Sequence, residues 1–488
     1  MSDLTRRHLL RAGAATALAG PFTGFLARQA AGGSHRPPGA QGLVEVLDER
    51  DGVLRLELPP GFRYRSFQAS GETLADGTVV PGRHDGMGAF RHRGQHAVLV
   101  RNHEVNGSSG AFTGTTPVYD PGAPGGTTSA VVDGEGHVAD SWASLAGTQM
   151  NCSGGRMPWG SWITCEETVN GNDVFDDFTR GRSAPPTTYV QNARLRKPHG
   201  YIFEVPAGGQ SAAEPLRSTG RFAHEAVAYS PVDGALYLTE DDFGFASGFY
   251  RYVPPGSPSR STRLEDGGRL YMLAVKDRPR AHLEQSFPAG TRFEVEWVPI
   301  PDPDPTFPMV DGLPTVTNDE AIQAVARQGW AEGAAYFSRN EGAVYDRGTV
   351  YFTATQGGGP PEAWEAGDGP VGGFGNGRGQ VWAYHVAEQV LELVYESPGA
   401  DVLDFPDNVT TSPRGTVILC EDGGDGNWLR GLSHQGELFD IAQNRIGNGN
   451  DEFAGATFGP DGRTLYVNIQ SSSGLTFAIW GPWQTIGV

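Results

Sequence analysis

The chain's 488 residues carry a formal charge of −20, with 57 acidic side chains against 37 basic ones. Such a field repels nucleic acid and anionic membrane surfaces and is compatible with metal cations. Gly at 70 and Pro at 35, beside 38% hydrophobic residues, suit many short strands with tight turns around an adequate core, and three cysteines in so long a chain exclude a disulfide framework.

Near the N-terminus, residues 5–27 read "TRRHLLRAGAATALAGPFTGFLA", in which Arg6 and Arg7 precede a weakly apolar, Ala/Gly-rich run. This looks like a twin-arginine export signal over residues 1–31, with cleavage near Ala30–Ala31. The run is too short and too small in side chain to span a bilayer, and no later segment approaches the required length. The expected partner is the twin-arginine export machinery, and the expected location is periplasmic, cell-envelope or extracellular. That route carries folded proteins, which hints at a cofactor installed before export. Residues 32–79 read as an N-terminal extension and 80–488 as one domain.

Within that domain a pattern recurs: a polar or acidic residue, an apolar strand, a turn usually containing Gly, then a second apolar strand ending in acids or amides. "HEAVAYSPVDGALYLTEDD" (224–242), "DNVTTSPRGTVILCEDG" (407–423) and "FAGATFGPDGRTLYVNIQ" (453–470) are the clearest copies. "EGAAYFSRNEGAVYDRGTVYFTAT" (332–355) is longer, and "NCSGGRMPWGSWITCEE" (151–167) and "GAFRHRGQHAVLVRNHE" (88–104) fit more loosely. Each reads as a β-hairpin. Copies spaced by about one four-stranded unit predict an all-β fold, a six-bladed β-propeller with insertion loops and few short helices. One such helix is expected at 317–329, capped by Thr317 or Asn318; the Pro-rich stretch 253–316 reads as insertion loops.

In a propeller the equivalent positions of each repeat converge on the axis. Here they carry Asn151 or Cys152, Glu225, Glu332, Asp407 or Asn408 and Glu452 at strand starts. At strand ends lie Asn102, His103, Glu104, Cys165, Glu166, Glu167, Glu240, Asp241, Glu421 and Asp422. One acid at a strand end is ordinarily solvated, but a converging set demands compensating cations. Carboxylates and amides suit Ca²⁺, and a thiolate beside carboxylates suits a transition metal such as iron or zinc.

At these residues the chain resembles the PhoX-type alkaline phosphatases. The likeness rests on "RNHE", "NCSGG" with "PWGSWITCEE", "GRFAHEA", "EGAAY", "GRGQVWAY", "CEDGG" and "NDEFAGATFGPDGRTLYVNIQ". It implies hydrolysis of small phosphomonoesters at a central cluster of Fe³⁺ and Ca²⁺. The residues it places there are Cys165, Glu166, Glu225, Glu332 and Glu421, with Asn102, His103 and Glu104 as further candidates, and Arg378 as the phosphate clamp. Asp241, Asn408 and Glu452 join from the repeat positions. One departure is that no basic residue immediately precedes Glu332. Neighbouring strand residues face opposite ways, so Cys165 and Glu166 can reach one cluster only if the strand ends or bulges there. Phosphoester chemistry needs positioning and charge neutralisation, which clustered cations supply. A calcium-dependent propeller acting on lactones or other non-phosphate esters is the alternative enzyme, and a secreted binding scaffold is the non-enzymatic one. A monomer is expected.

Overall fold

A computed structural model of the protein describes residues 42–488 apart from 95, 113–115, 176–191, 243–246, 360–363, 366–368, 371–376 and 425. The twin-arginine reading therefore falls outside the described residues. Three strands come first, β1 (Val44–Leu47), β2 (Leu54–Leu58) and β3 (Arg63–Phe67). The first antiparallel sheet follows: β4 (His84–Arg91), β5 (Ala97–His103), β6 (Gly125–Val132) and β7 (Val138–Thr148). The second holds β8 (Asn151–Arg156), β9 (Ser161–Glu166) and β10 (Ile202–Pro206). The third holds β11 (His224–Tyr229), β12 (Leu236–Glu240), β13 (Phe249–Val253), β14 (Arg269–Val275) and, at its edge, β15 (Arg292–Pro299).

A small hairpin, β16 (Met309–Val310) and β17 (Leu313–Pro314), precedes β18 (Asn340–Asp346) and β19 (Thr349–Ala354). Another, β20 (Trp364–Glu365) and β21 (Gly369–Pro370), precedes β22 (Gln380–His385) and β23 (Val390–Glu396). β15 pairs with β23, so this group and the third sheet share nine strands. Next come β24 (Pro406–Thr411), β25 (Val417–Glu421), β26 (Trp428–Leu432) and β27 (Leu438–Asn444), with β2 and β1 added at the edge. Last come β28 (Phe453–Phe458), β29 (Thr464–Ile469) and β30 (Leu475–Trp480), and β3 pairs with β30 to complete that sheet. The segment read as an N-terminal extension thus supplies strands to two sheets.

β4 lies against β8, β8 against β11, β11 against β18, β18 against β24, β24 against β28, and β28 against β4. The leading strands therefore close a ring, and the architecture is all-β and propeller-like. The gaps between neighbouring sheets are filled by separate apolar clusters. Ile163, Cys165 and Ile202 meet Val227, Leu238 and Tyr250, for instance, and Phe249 meets Phe352 and Trp382. Burying such side chains contributes about 1.5–3 kcal/mol each. Near the axis no side chain fits between backbones. A Cβ on Gly342 would stand 2.5 Å from the Val409 nitrogen, and one on Gly455 2.4 Å from the Asp85 oxygen. These glycines let the leading strands converge.

Each repeat hairpin is present, and two of them begin elsewhere than expected. The first leads with His84–Asp85–Gly86, before the string "GAFRHRG". The longer one leads with Asn340–Glu341–Gly342, after the string "EGAAY". The stretch 253–316 also contains β14 and β15; "RLYMLAV" alternates as a half-buried strand should, and its Pro-rich flanks hid it. Helix occurs at Asn318–Ala321 with Thr317 as N-cap in a capping box, and again at Ala324–Ala331.

Candidate metal centre

Every leading strand carries a bulge just after its start. The register shifts between His84 and Met87, Asn151 and Gly154, His224 and Val227, Asn340 and Ala343, Pro406 and Val409, and Ala454 and Thr457. A bulge re-aims the side chain it leaves unpaired. Here the bulged positions bring Asp85, Cys152, Glu225, Glu341 and Asp407 towards one another. Donor atoms of Cys152, Glu167 and Glu225 lie within 4.8 Å of one another, and so do those of Glu225, Glu341 and Asp407. Glu225 belongs to both groups.

A second tier comes from the residue just beyond four of the six second strands: Glu104, Glu167, Asp241 and Asp422. Asp85, Cys152, Glu225 and Glu341 are buried, while Glu104, Glu167, Asp407 and Glu452 are half-buried and Asp422 is exposed. The centre is thus deep on one side and open on the other. Burial first, then neighbouring carboxylates, pushes the acids of Asp85, Glu167, Glu225, Glu341 and Glu452 well above their ordinary range. The same causes bring Glu104 and Asp407 to about 7. Burial and then Glu225 likewise raise the Cys152 thiol. Two unit charges 4 Å apart repel by about 4 kcal/mol at an effective dielectric of 20. Arg339 partly offsets this: its Nε donates to Asp241 Oδ1 at 3.0 Å and its Nη2 to Asp241 Oδ2 at 2.6 Å and Glu341 Oε1 at 2.9 Å.

Paired acids at strand ends divide their work by alternation. Glu166, last in β9, turns away from the axis, where its oxygens accept from Gln149 N, Gly200 N, Tyr201 N and His199 Nδ1. Glu240 accepts from Gly248 N and the Tyr250 hydroxyl, and Glu421 from Asp404 N, Trp428 N and Arg430 Nε. His103 holds the same position, with Nδ1 at 3.0 Å from Gly82 O and Nε2 at 2.8 Å from Thr128 Oγ1. These residues tie loops to sheets, and the next residue in each pair faces the centre.

Cys152 and Cys165 both border the apolar cluster between the second and third sheets, and of the two it is the Cys152 sulfur that falls within a carboxylate donor group. Asn102 donates to Cys152 O at 2.8 Å and Ser153 O at 2.6 Å, holding that bulge in place. Asn408 donates to Asp407 Oδ1 at 2.7 Å. Glu332 is the exposed C-cap of a helix, remote from the ring. Arg378 is exposed on the rim, 3.2 Å from Asp404.

Sequence reasoning passed over Asp85, Glu341 and Arg339, and it put the thiolate at Cys165 where the structure groups Cys152 with carboxylates. The signal for Glu341 was present: "EGAAY" is followed four residues later by the near-copy "EGAVY", with Arg339 two residues before Glu341. A cavity of about 740 Å³ opens at the other end of the axis, lined partly by Gly86, Ser153, Asn408 and Gly455 on the back of the bulge layer.

Fold and site together define a propeller-like protein whose axis gathers carboxylates and one thiol in cation-binding geometry. The family model of the alkaline phosphatase PhoX matches residues 43–141 and 134–473, so the chain belongs to the PhoX alkaline phosphatase family. The solved PhoX of Pseudomonas fluorescens in complex with vanadate, a transition state analogue, is 18% identical with a TM-score of 0.64, over 91% of this chain and 98% of that one. A streptogramin B lyase (11%, TM-score 0.38, 86% and 98% covered) and a gluconolactonase from Xanthomonas campestris (12%, TM-score 0.37, 91% and 99% covered) are more distant. No curated protein matches. Membership makes the chain an enzyme, a phosphomonoester hydrolase of the alkaline phosphatase type.

Proposed function

We propose that this enzyme is a six-bladed propeller whose axial carboxylates hold iron and calcium for the hydrolysis of small phosphomonoesters. The six leading strands that close on one another support the blade count, with β15 joining two blades edge to edge. One observation carries the cation reading: Asp85 Oδ1 and Glu225 Oε2 are buried with no hydrogen-bond partner, inside a crowd of like charges. The donor sets fit the two metals. The thiol of Cys152 with Glu167 and Glu225 suits iron, and the all-oxygen group Glu225, Glu341 and Asp407 suits calcium. Bound cations would supply Lewis-acid neutralisation of the phosphoryl oxygens and a nucleophile at moderate pH.

The chain's own residues do the rest. Glu225 bridges the two donor groups and so fixes their separation. Arg339, held by Asp241 and Glu341, keeps a positive charge beside the donor groups that offsets part of their repulsion. Arg83, 3.5 Å from Glu104, and Arg378 add positive charge at the rim. Asp422, Glu104 and Glu452 line the solvent side, where leaving groups of varied size can pass. The leading "TRRHLL" supports export by the twin-arginine route, which would deliver the folded protein to the periplasm, envelope or medium.

Elemental analysis alongside p-nitrophenyl phosphate turnover, with and without EDTA, tests this reading. Iron and calcium in the purified protein, and activity lost on chelation and regained on adding back both metals, are expected. A metal-free protein with full turnover would overturn it.

A further inference from the structure

The residue second from the end of each second strand has a job that the metal-centre reading leaves unassigned. In β12 it is Thr239, whose hydroxyl accepts from Ala226 N at 2.9 Å and donates to Glu341 O at the head of the next group of strands, joined to its own through β15. In β19 it is Thr353, whose hydroxyl donates to Asp407 O at 2.6 Å, in the next sheet. In β5 Asn102 reaches Cys152 O, and in β29 Asn468 Nδ2 reaches Asp85 O. All four donors cross from one group of strands to the bulge of its neighbour. Each ends on the main-chain carbonyl of a residue whose side chain faces the centre.

The remaining two sheets carry cysteine at this position. Cys165 in β9 packs in the apolar cluster that holds Val227 of the neighbouring sheet, and Cys420 in β25 packs in the cluster that holds Ala456 of the last sheet. The repeat therefore explains both the buried polar residues and the two cysteines outside the donor groups.

We infer that Asn102, Thr239, Thr353 and Asn468 are positioning residues, a ring of latches between neighbouring groups of strands that sets the aim of the cation-binding side chains Cys152, Glu341, Asp407 and Asp85. The physical case rests on where freedom remains. A bulged residue lacks its regular ladder bond, so its carbonyl has no partner within its own group of strands. The latch supplies that partner and fixes the peptide plane, hence the direction in which the carboxylate or thiol projects. Because each donor comes from a neighbouring group of strands, the donor atoms of adjacent groups are set relative to one another. This inference rests on the metal-centre reading above.

Thr353→Val keeps the shape of the side chain and deletes the donor; Thr353→Ser keeps the donor. The full-length enzyme as purified is compared with both variants. We measure calcium and iron per chain, the half-time of metal loss in excess EDTA, and the melting temperature with and without added CaCl₂. The expected result is a metal-loss half-time at least tenfold shorter in Thr353→Val and restored to within twofold in Thr353→Ser. The melting temperature of the EDTA-treated variant should stay close to that of EDTA-treated parent, while the increment from calcium shrinks. A merely structural hydroxyl would lower both temperatures equally and leave the half-time unchanged, and that outcome overturns the inference. Should Thr353→Val not accumulate as folded protein, the same comparison on Thr239→Val and Thr239→Ser decides between these two results. Metal retention is read without substrate, so a parent enzyme that binds metal yet fails to turn over p-nitrophenyl phosphate would refute the phosphatase chemistry and leave the latch inference standing.

Discussion

Cys152 and Cys165 differ in their surroundings enough to be told apart by one pair of variants. Both cysteines border the apolar cluster of Ile163, Ile202 and Phe222, but only the Cys152 sulfur shares a 4.8 Å donor group with Glu167 and Glu225. Partners that merely orient a ligand are worth about 10- to 100-fold in metal affinity. Loss of the sulfur itself should therefore weaken binding by at least about 100-fold, or about 2.7 kcal/mol. Cys165→Ser instead buries a hydroxyl in an apolar setting, at about 1–3 kcal/mol of fold stability. Visible absorption, metal content and p-nitrophenyl phosphate turnover form the assay. Cys152→Ser should bleach the thiolate-to-iron band and lose most iron and activity, with the fold kept. Cys165→Ser should keep band and metal and melt a few degrees lower. A bleached Cys165→Ser beside a coloured, active Cys152→Ser would refute the assignment.

Glu341→Gln should lose calcium and at least tenfold in kcat, while Glu332→Gln, on an exposed helix end, should match the parent in both; equal effects would reject the placement of the ring. Gly342→Ala forces a Cβ to 2.5 Å from the Val409 nitrogen and 2.8 Å from the Asn408 Cα, so about 1–3 kcal/mol of destabilisation should appear in urea unfolding. Metal-free protein should lose stability as pH rises. Glu104 and Asp407, ordinarily near 4, titrate near 7 when folded because of burial and neighbouring acids, so the folded state holds protons that the unfolded state releases. Melting temperature of the EDTA-treated protein should fall between about pH 4 and 7, and added calcium should restore it most above pH 7. His199 works in another window. Burial opposes its charge, but Glu166 at 2.6 Å and then Asp120 raise it to about 9. Its stabilisation is complete below about 6.5 and lost as pH rises through 9, and His199→Gln should remove that alkaline slope from a stability-versus-pH curve.

Local pattern was legible in the chain because hairpins are local objects. The turn sequences "SPVDG" and "GPDG", flanked by β-branched and aromatic runs, specify β11–β12 and β28–β29 from neighbouring residues alone. Their recurrence placed acids at matching positions, and Glu225, Glu104, Asp241 and Glu452 followed from that count. Which member of an adjacent pair faces the axis did not follow. Glu166 and Glu167, or Cys152 and Cys165, are alike in composition and differ only through the bulge and the register that tertiary pairing imposes. The same holds for "EGAAY" and "EGAVY": one ends a helix and the other leads a sheet, because Asn340, not the residue before Glu332, pairs with Ala354.

The residues by themselves thus determined the kind of element and the chemistry available: strands, turns, acids and a thiol in repeated company. The tertiary structure decided which of these side chains meet. Convergence on an axis depends on backbone contacts between sheets far apart in the chain, such as Gly455 against Asp85, and no local preference encodes the distance across that ring.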